Sequence, residues 1–339
     1  MAMETTSALI FTPKGIYCPS GDFYIDPWHP VERALITHGH ADHARFGHRS
    51  YLSTDIAAPV IKHRLGDIVI ETVPYGSNVK IGSATVSFHP AGHVPGSAQI
   101  RVEVGGEVWV VSGDYKTEND GLSDAFEPVK CHNFITECTF GLPAFRWQKQ
   151  GIVFDAINAW WQENARNGRV SVLGAYGLGK AQRLLCGLDL SIGPVLTHGA
   201  VEGTNRVMRA QGIALPPTRL VTQDTDKKAQ AGAIVIAPPS AIDSAWARGF
   251  RDLSTAFVSG WMGLRGVRRR RAGDRGFVMS DHADWEGLNQ AILETGAENI
   301  YVTHGYTDIF SKWLIENGYH AKVVPTQFGE DMEEEGNEA

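Results

Sequence analysis

Short apolar runs alternate with polar positions and turn residues through roughly the first 140 residues, a period-two pattern that predicts strands. Residues 8–12 and 23–26 read as strands. Residues 34–37 form a buried strand that runs straight into His38-Gly39-His40-Ala41-Asp42-His43, after which a short helix is expected. A helix is predicted over 56–65, and strands over 79–90, 97–104, 107–112 and 134–137, with Gly105-Gly106 as a hairpin turn. The pattern changes near Gly141. Helical stretches at 152–167, 180–187 and 203–211 then alternate with apolar strands at 170–174, 195–198, 233–237 and 255–259. This alternation predicts an α/β layer with a mainly parallel sheet. Residues 277–280 and 300–303 return to the strand-rich pattern of the N-terminal part, with a helix over about 282–294 between them. No internal repeat is present.

The chain has 339 residues, of which 43% are hydrophobic and 20% charged, the composition of a core-forming protein of one or two domains. No apolar run reaches the roughly 18 residues of a membrane span, and the first residues lack the pattern of an export signal. Cys18, Cys131, Cys138 and Cys186 form no CxxC pair, so a reduced, cytoplasmic setting is expected. The net charge is −7, but six acids sit in the tail from Glu330, and the rest of the chain carries −1. Residues 330–339 are expected to be a disordered, solubilising tail. Arg265, Arg268, Arg269, Arg270, Arg271 and Arg275 crowd into one stretch, and such a local field suits a polyanion better than the total charge suggests.

His38, His40, Asp42 and His43 place four potential metal ligands in six residues directly after a strand. Imidazole and carboxylate suit a borderline cation such as zinc. His93, Asp114 and His304 each follow a strand and sit beside glycines, which extends the set to enough ligands for two ions. His198, in Leu196-Thr197-His198-Gly199, imitates the His304 motif but lies deep in the middle segment and is read as structural. Asp26, closing a strand, is a candidate for orienting a ligand from behind. His48, His63, His89, His132 and His320 are read as core or surface histidines.

Taken together, these residues resemble the β-CASP branch of the metallo-β-lactamase superfamily, over nearly the whole chain. The resemblance implies a metallo-β-lactamase αββα sandwich (1–141 and 277–329) interrupted by an inserted α/β β-CASP domain (142–276). It implies two Zn2+ ions, with Mn2+ an alternative in one site, bound by His38, His40, Asp42, His43, His93, Asp114 and His304. One ion would take His38, His40 and His93, the other Asp42, His43 and His304, with Asp114 shared. Glu137 in Ile135-Thr136-Glu137-Cys138-Thr139 and His282 in Ser280-Asp281-His282-Ala283-Asp284 also match family positions. His282 is the expected general acid and Glu137 its holder, with Asp42 and Asp114 completing the catalytic set. Gly174-Ala175-Tyr176-Gly177-Leu178-Gly179-Lys180 looks like the family's glycine-rich basic stretch.

Within the branch the compact chain looks most like bacterial ligase-associated DNA exonucleases. That likeness implies a DNA phosphodiesterase acting in repair from a 5′ end, beside an ATP-dependent DNA ligase and a helicase. Lys116, Tyr176 and Lys180 are candidate phosphate contacts, and Arg268, Arg269, Arg270 and Arg271 a candidate grip on the backbone. Glu137 and His304 also match RNA-processing members, which keeps an RNA nuclease as the alternative. A small-molecule hydrolase fits the long insertion and the arginine run less well. A non-catalytic binding subunit would be expected to have lost ligands, and none is missing.

Overall fold

The computed structural model describes residues 7–242, 244–271 and 273–324, apart from the side chain of Arg271. The acidic tail therefore lies outside the described residues. The chain divides into two compact units: 7–119, 123–143 and 282–324 form the first, and 120–122 with 144–281 the second.

The first unit begins with a six-stranded sheet in chain order: β1 (Ile10–Thr12), β2 (Gly15–Cys18), β3 (Phe23–Ile25), β4 (Arg33–Leu35), β5 (Ser50–Thr54) and β6 (Ile70–Val73). Helix α1 (Ala58–Leu65) connects its last two strands. Next come β7 (Val79–Ile81), β8 (Ala84–Pro90), β9 (Ala98–Val104), β10 (Glu107–Val111) and β11 (Asn133–Cys138). The second unit contains α2 (Gln150–Arg166), β12 (Val170–Gly174), α3 (Lys180–Gly187), β13 (Val195–Thr197), α4 (Gly199–Ala210), β14 (Arg219–Leu220), β15 (Ile234–Ala237), α5 (Pro239–Ile242), β16 (Leu253–Val258), α6 (Arg265–Arg271) and β17 (Arg275–Phe277). The chain then returns to the first unit through α7 (Trp285–Thr295), β18 (Asn299–Gly305), α8 (Thr307–Glu316) and β19 (His320–Val323). These strands complete a seven-stranded sheet, β19-β18-β11-β10-β9-β8-β7.

Strand alternation sorts the side chains of that sheet onto two faces. Trp109 and Val111 of β10 pack with Ile25, Leu35 and Leu52 of the first sheet, so one core lies between the sheets. Val110, Phe134, Ile300 and Val302 face the other way, onto Leu288 and Ile292 of α7 and Phe310 and Leu314 of α8. Ile61 and Leu65 of α1 pack on Ala34 and Tyr51, the outer face of the first sheet. The layers of this unit are helix, sheet, sheet, helix. Each large apolar side chain buried here contributes roughly 1.5–3 kcal/mol. Asp284 caps α7 by accepting the Gly287 N–H, and Gly296 ends it with left-handed φ of 65°.

The second unit is a parallel sheet, β14-β13-β15-β12-β16-β17, apolar on both faces as such sheets require. Leu173, Ile236 and Val258 pack on Ile157 and Trp161 of α2 and Leu184 of α3, while Val170, Val172 and Val235 pack on Ile242 and Phe250. No helix among the described residues is long and apolar enough to cross a membrane.

Three elements differ from expectation. The strand expected over 79–90 is a hairpin, because Gly82 adopts φ of 61° between β7 and β8. Phe277 pairs with Val258 in the second unit's sheet, so the strand expected over 277–280 belongs there. The helix expected after the HxHxDH motif does not form; a single turn closes within the motif instead, by the Ala44 N–H on the His40 carbonyl at 2.9 Å. The Arg64 guanidinium donates to the carbonyls of Gly39, His40 and Ala44, acceptors that a continuing helix would need.

Candidate metal centre

The loop after β4, the turn between β8 and β9, the segment before α7 and the end of β18 deliver the histidines, and the loop after β10 delivers Asp114. The chain leaves β4 through Ile36 and Thr37, and Thr37 is fastened before the motif begins. Its N–H and its hydroxyl donate to the two oxygens of Asp26, at 2.9 and 2.6 Å. Asp26 Oδ2 also lies 2.7 Å from His43 Nδ1. Asp26 holds φ of 42°, a left-handed backbone uncommon outside glycine, and its carboxylate thus fixes both ends of the motif. Gly113 packs so closely on Thr37 that an added Cβ would lie 2.7 Å from Thr37 Oγ1, and its φ of 56° also favours glycine.

Four donor atoms converge beyond this support. His40 Nδ1 is 3.1 Å from both His38 Nε2 and His93 Nε2. Asp114 Oδ2 is 3.5 Å from His38 Nε2 and 3.8 Å from His93 Nε2. Zinc with ligands at about 2.0–2.2 Å in a tetrahedron spaces them about 3.3–3.6 Å apart, so this quartet fits such an ion. Asp42 and His43 join His38 in a second group, and Asp114, Glu137 and His282 form a third. His43 Nε2 is buried and has no hydrogen-bond partner among the described residues, while carboxylate oxygens of Asp42 and Asp114 stand 3.4 Å away. A buried orphan nitrogen between two carboxylates is costly for a protein alone and natural for a cation's ligand. The donor set therefore fits divalent metal ions of the zinc class.

Electrostatics follow the same geometry. Burial works against a charged His43, but Asp42, Asp114 and Asp26 hold its pKa well above the usual histidine value. Burial also opposes the charge on Asp114, yet the facing His43 and His282 hold its pKa well below the carboxylate range. His38 is driven well below the histidine range, first by burial and then by His43.

His282 precedes the α7 cap, with Nδ1 2.9 Å from both oxygens of Glu137. The Glu137 carboxylate also accepts the Tyr115 N–H at 2.9 Å and the Thr139 hydroxyl at 2.5 Å. The His282 ring centroid lies 4.7 Å from that of His93, which sets it beside the quartet. His304 lies apart from the three groups. Its ring is 5.6 Å from that of His43, and it lines a small cavity with Asp26, Asp42, His43 and Gly113. Its φ is 51°, a left-handed conformation that costs a non-glycine residue roughly 1–2 kcal/mol.

The remaining candidates lie elsewhere. Lys116 is buried, with Nζ 3.3 Å from Glu118. In the second unit, Lys180 is buried 3.9 Å from Asp281 and 4.5 Å from the Tyr176 ring centre. Arg268, Arg269 and Arg270 are exposed on α6, while the side chain of Arg271 lies outside the described residues. His198 accepts the Ala200 N–H at the start of α4, a capping role far in sequence from the quartet. All four cysteines are free thiols. Sequence reasoning missed Thr37, Thr139 and Cys138; the first adjoins the HxHxDH motif and the others adjoin Glu137, but threonine and cysteine carry no distinctive pattern there.

No model of a known protein family matches the chain. The chain is 32% identical over 320 residues to a protein of Opitutus terrae named "Probable DNA ligase", covering 94% of this chain and 31% of that one. It is 34% identical over 126 residues to endoribonuclease ysh-1 of Neurospora crassa, covering 36% of this chain and 14% of the relative. The chain thus spans about a third or less of the length of these relatives. A crystal structure of a protein of unknown function from Enterococcus faecalis V583 matches with a TM-score of 0.57 and 12% identity, over 88% of this chain and 80% of that one. That likeness concerns the mixed α/β fold alone. The chain's homologues include Ysh1 endoribonucleases, members of the metallo-β-lactamase/β-CASP family, and the histidine–aspartate cluster fits that family.

Proposed function

We propose that the protein is a divalent-metal-dependent nuclease that hydrolyses phosphodiester bonds of DNA, working from a strand end in repair. The carrying observation is the convergence of His38, His40, His93 and Asp114, with His43 and Asp42 alongside and the Glu137–His282 pair next to them. The four-layer first unit, split in sequence by the second, supports a metallo-β-lactamase sandwich with an inserted β-CASP domain. Similarity to a named DNA ligase over nearly the whole chain supports work beside a ligase.

A bound pair of divalent cations would supply an activated water and neutralise charge gathering on the phosphate. His38, His40, His93 and Asp114 would hold one ion. Asp42, His43 and His304 would serve the other, and Asp114 stands near both sets of residues. With a cation in place, Asp26 would keep the remaining proton of His43 on Nδ1 and leave the Nε2 lone pair for the ion. Glu137 likewise occupies His282 Nδ1, and the proton His282 delivers to the leaving oxygen resides on Nε2.

End-labelled single- and double-stranded DNA and matched RNA, digested with and without a chelator, test this proposal. DNA shortened progressively from one end, with activity lost to the chelator and restored by Zn2+ or Mn2+, is expected. The similarity to proteins named endoribonucleases favours RNA as the second reading, which cleavage of the RNA alone would establish. Cleavage of neither polymer by metal-loaded protein would remove both.

A further inference from the structure

By strand alternation, His304 should face away from the cluster. Ile300 and Val302 of β18 point to the helices, and a regular strand would send residue 304 to the same side. Instead, the pairing of β11 with β18 slips: Glu137 opposes Thr303, and Cys138 opposes Gly305. His304 is the extra residue of a β-bulge, a device that re-aims a side chain. Its φ of 51° and the φ of 85° at Gly305 make two consecutive left-handed residues. The result is an imidazole turned toward His43 rather than the helices.

Cys138 grips this turn from the neighbouring strand. Its Sγ–H donates to the His304 carbonyl at 2.9 Å, and its own carbonyl accepts the Tyr306 N–H at 3.2 Å. Gly305 lies against the Cys138 carbonyl and Thr139 Cα, with no room for a side chain. The thiol is fully buried. Adjacent residues of β11 thus reach two histidines, Glu137 through the ring of His282 and Cys138 through the backbone of His304.

We propose that Cys138 is a positioning residue for His304, its thiol holding the bulged turn that presents the imidazole to the metal centre. The proposal rests on the metal-binding reading above and is tested by metal affinity rather than turnover. Cys138→Ala removes the donor and keeps the backbone bonds, whereas Cys138→Ser keeps a donor. Zinc per chain is measured by mass spectrometry, affinity by competition with a chromophoric chelator, and folding by circular dichroism. Folded Cys138→Ala is expected to bind one of two zinc ions about tenfold or more weakly, the scale on which outer supports of metal ligands act. Cys138→Ser should restore most of the loss. In a His304→Ala background, Cys138→Ala should add no further loss, since both changes act through one side chain. Should the alanine variant not fold, Cys138→Val fills the volume without donating and carries the same expectations. Wild-type affinity in the non-donating variant overturns the proposal, as does an equal loss in the His304→Ala background. A wild-type chain that binds no zinc overturns the metal reading together with this one.

Discussion

At the scale of single residues, orientation matters as much as identity. His282 is held by Glu137 through Nδ1, and Glu137 is itself held by Tyr115 and Thr139. A histidine so placed, held by Glu137 and outside the quartet, can be removed without disturbing the quartet. His282→Ala is expected to keep zinc at the wild-type stoichiometry while turnover falls about 10²- to 10⁴-fold, the span of general acid catalysis. Metal analysis beside steady-state rates checks this, and loss of zinc in the variant would instead make His282 a ligand. The three histidines and the aspartate of the quartet were legible because each stands a short way after a strand in a glycine-flanked motif. The supports were not. Thr37 and Cys138 act through hydrogen bonds to partners distant in sequence, and a single chain gives no hint of which threonine or thiol faces which carboxylate or carbonyl.

Elements were legible in proportion to their regularity. The helix over 180–187 and the strand over 170–174 match α3 and β12 residue for residue, since buried parallel strands and amphipathic helices write continuous signals. Short strands such as β2, β5, β6 and β19 went unread, because four or five residues seldom display a period, and the C-terminal α8 also went unread. The bulge in β18 was equally invisible: it depends on the register against β11, which only the folded sheet sets. Helix α6 behaves differently, because its meaning lies in charge rather than packing. Arg268, Arg269 and Arg270 are exposed, and the run Arg265–Arg271 contains no acid. If this helix grips a phosphate backbone, replacing the three with Ser should flatten the slope of log affinity against log salt by about 0.7 per lost contact on single strands. A slope equal to wild type in a fluorescence-anisotropy titration would leave α6 a solvated surface.

Across the whole molecule, the centre joins segments far apart in the chain, from His38 in the first sheet's loops to His282 and His304 after the second unit. Metal binding is therefore coupled to folding of the first unit, because the unfolded chain offers no such cluster. The sign of the pH dependence follows from the cluster itself. In the metal-free chain, Asp42 and Asp114 have lowered pKa values, so their stabilisation is present above the unfolded value of 3.8 and lost as pH falls through the folded one. His43 is raised, so its contribution is complete below 6.5 and disappears as pH rises through its folded value. Cations reverse the upper limb, since they take the place of the His43 proton and bind more tightly as it leaves. Zinc at 100 times its dissociation constant would stabilise the fold by about 2.7 kcal/mol, and that gain should grow with pH. Scanning calorimetry from about pH 5 to about pH 9, with zinc or chelator, should show a gap in Tm that widens above the ordinary histidine pKa. A gap independent of pH would mean that His43 carries no proton for the metal to displace. The three aspartates around it would then have to be balanced by some other cation of the chain.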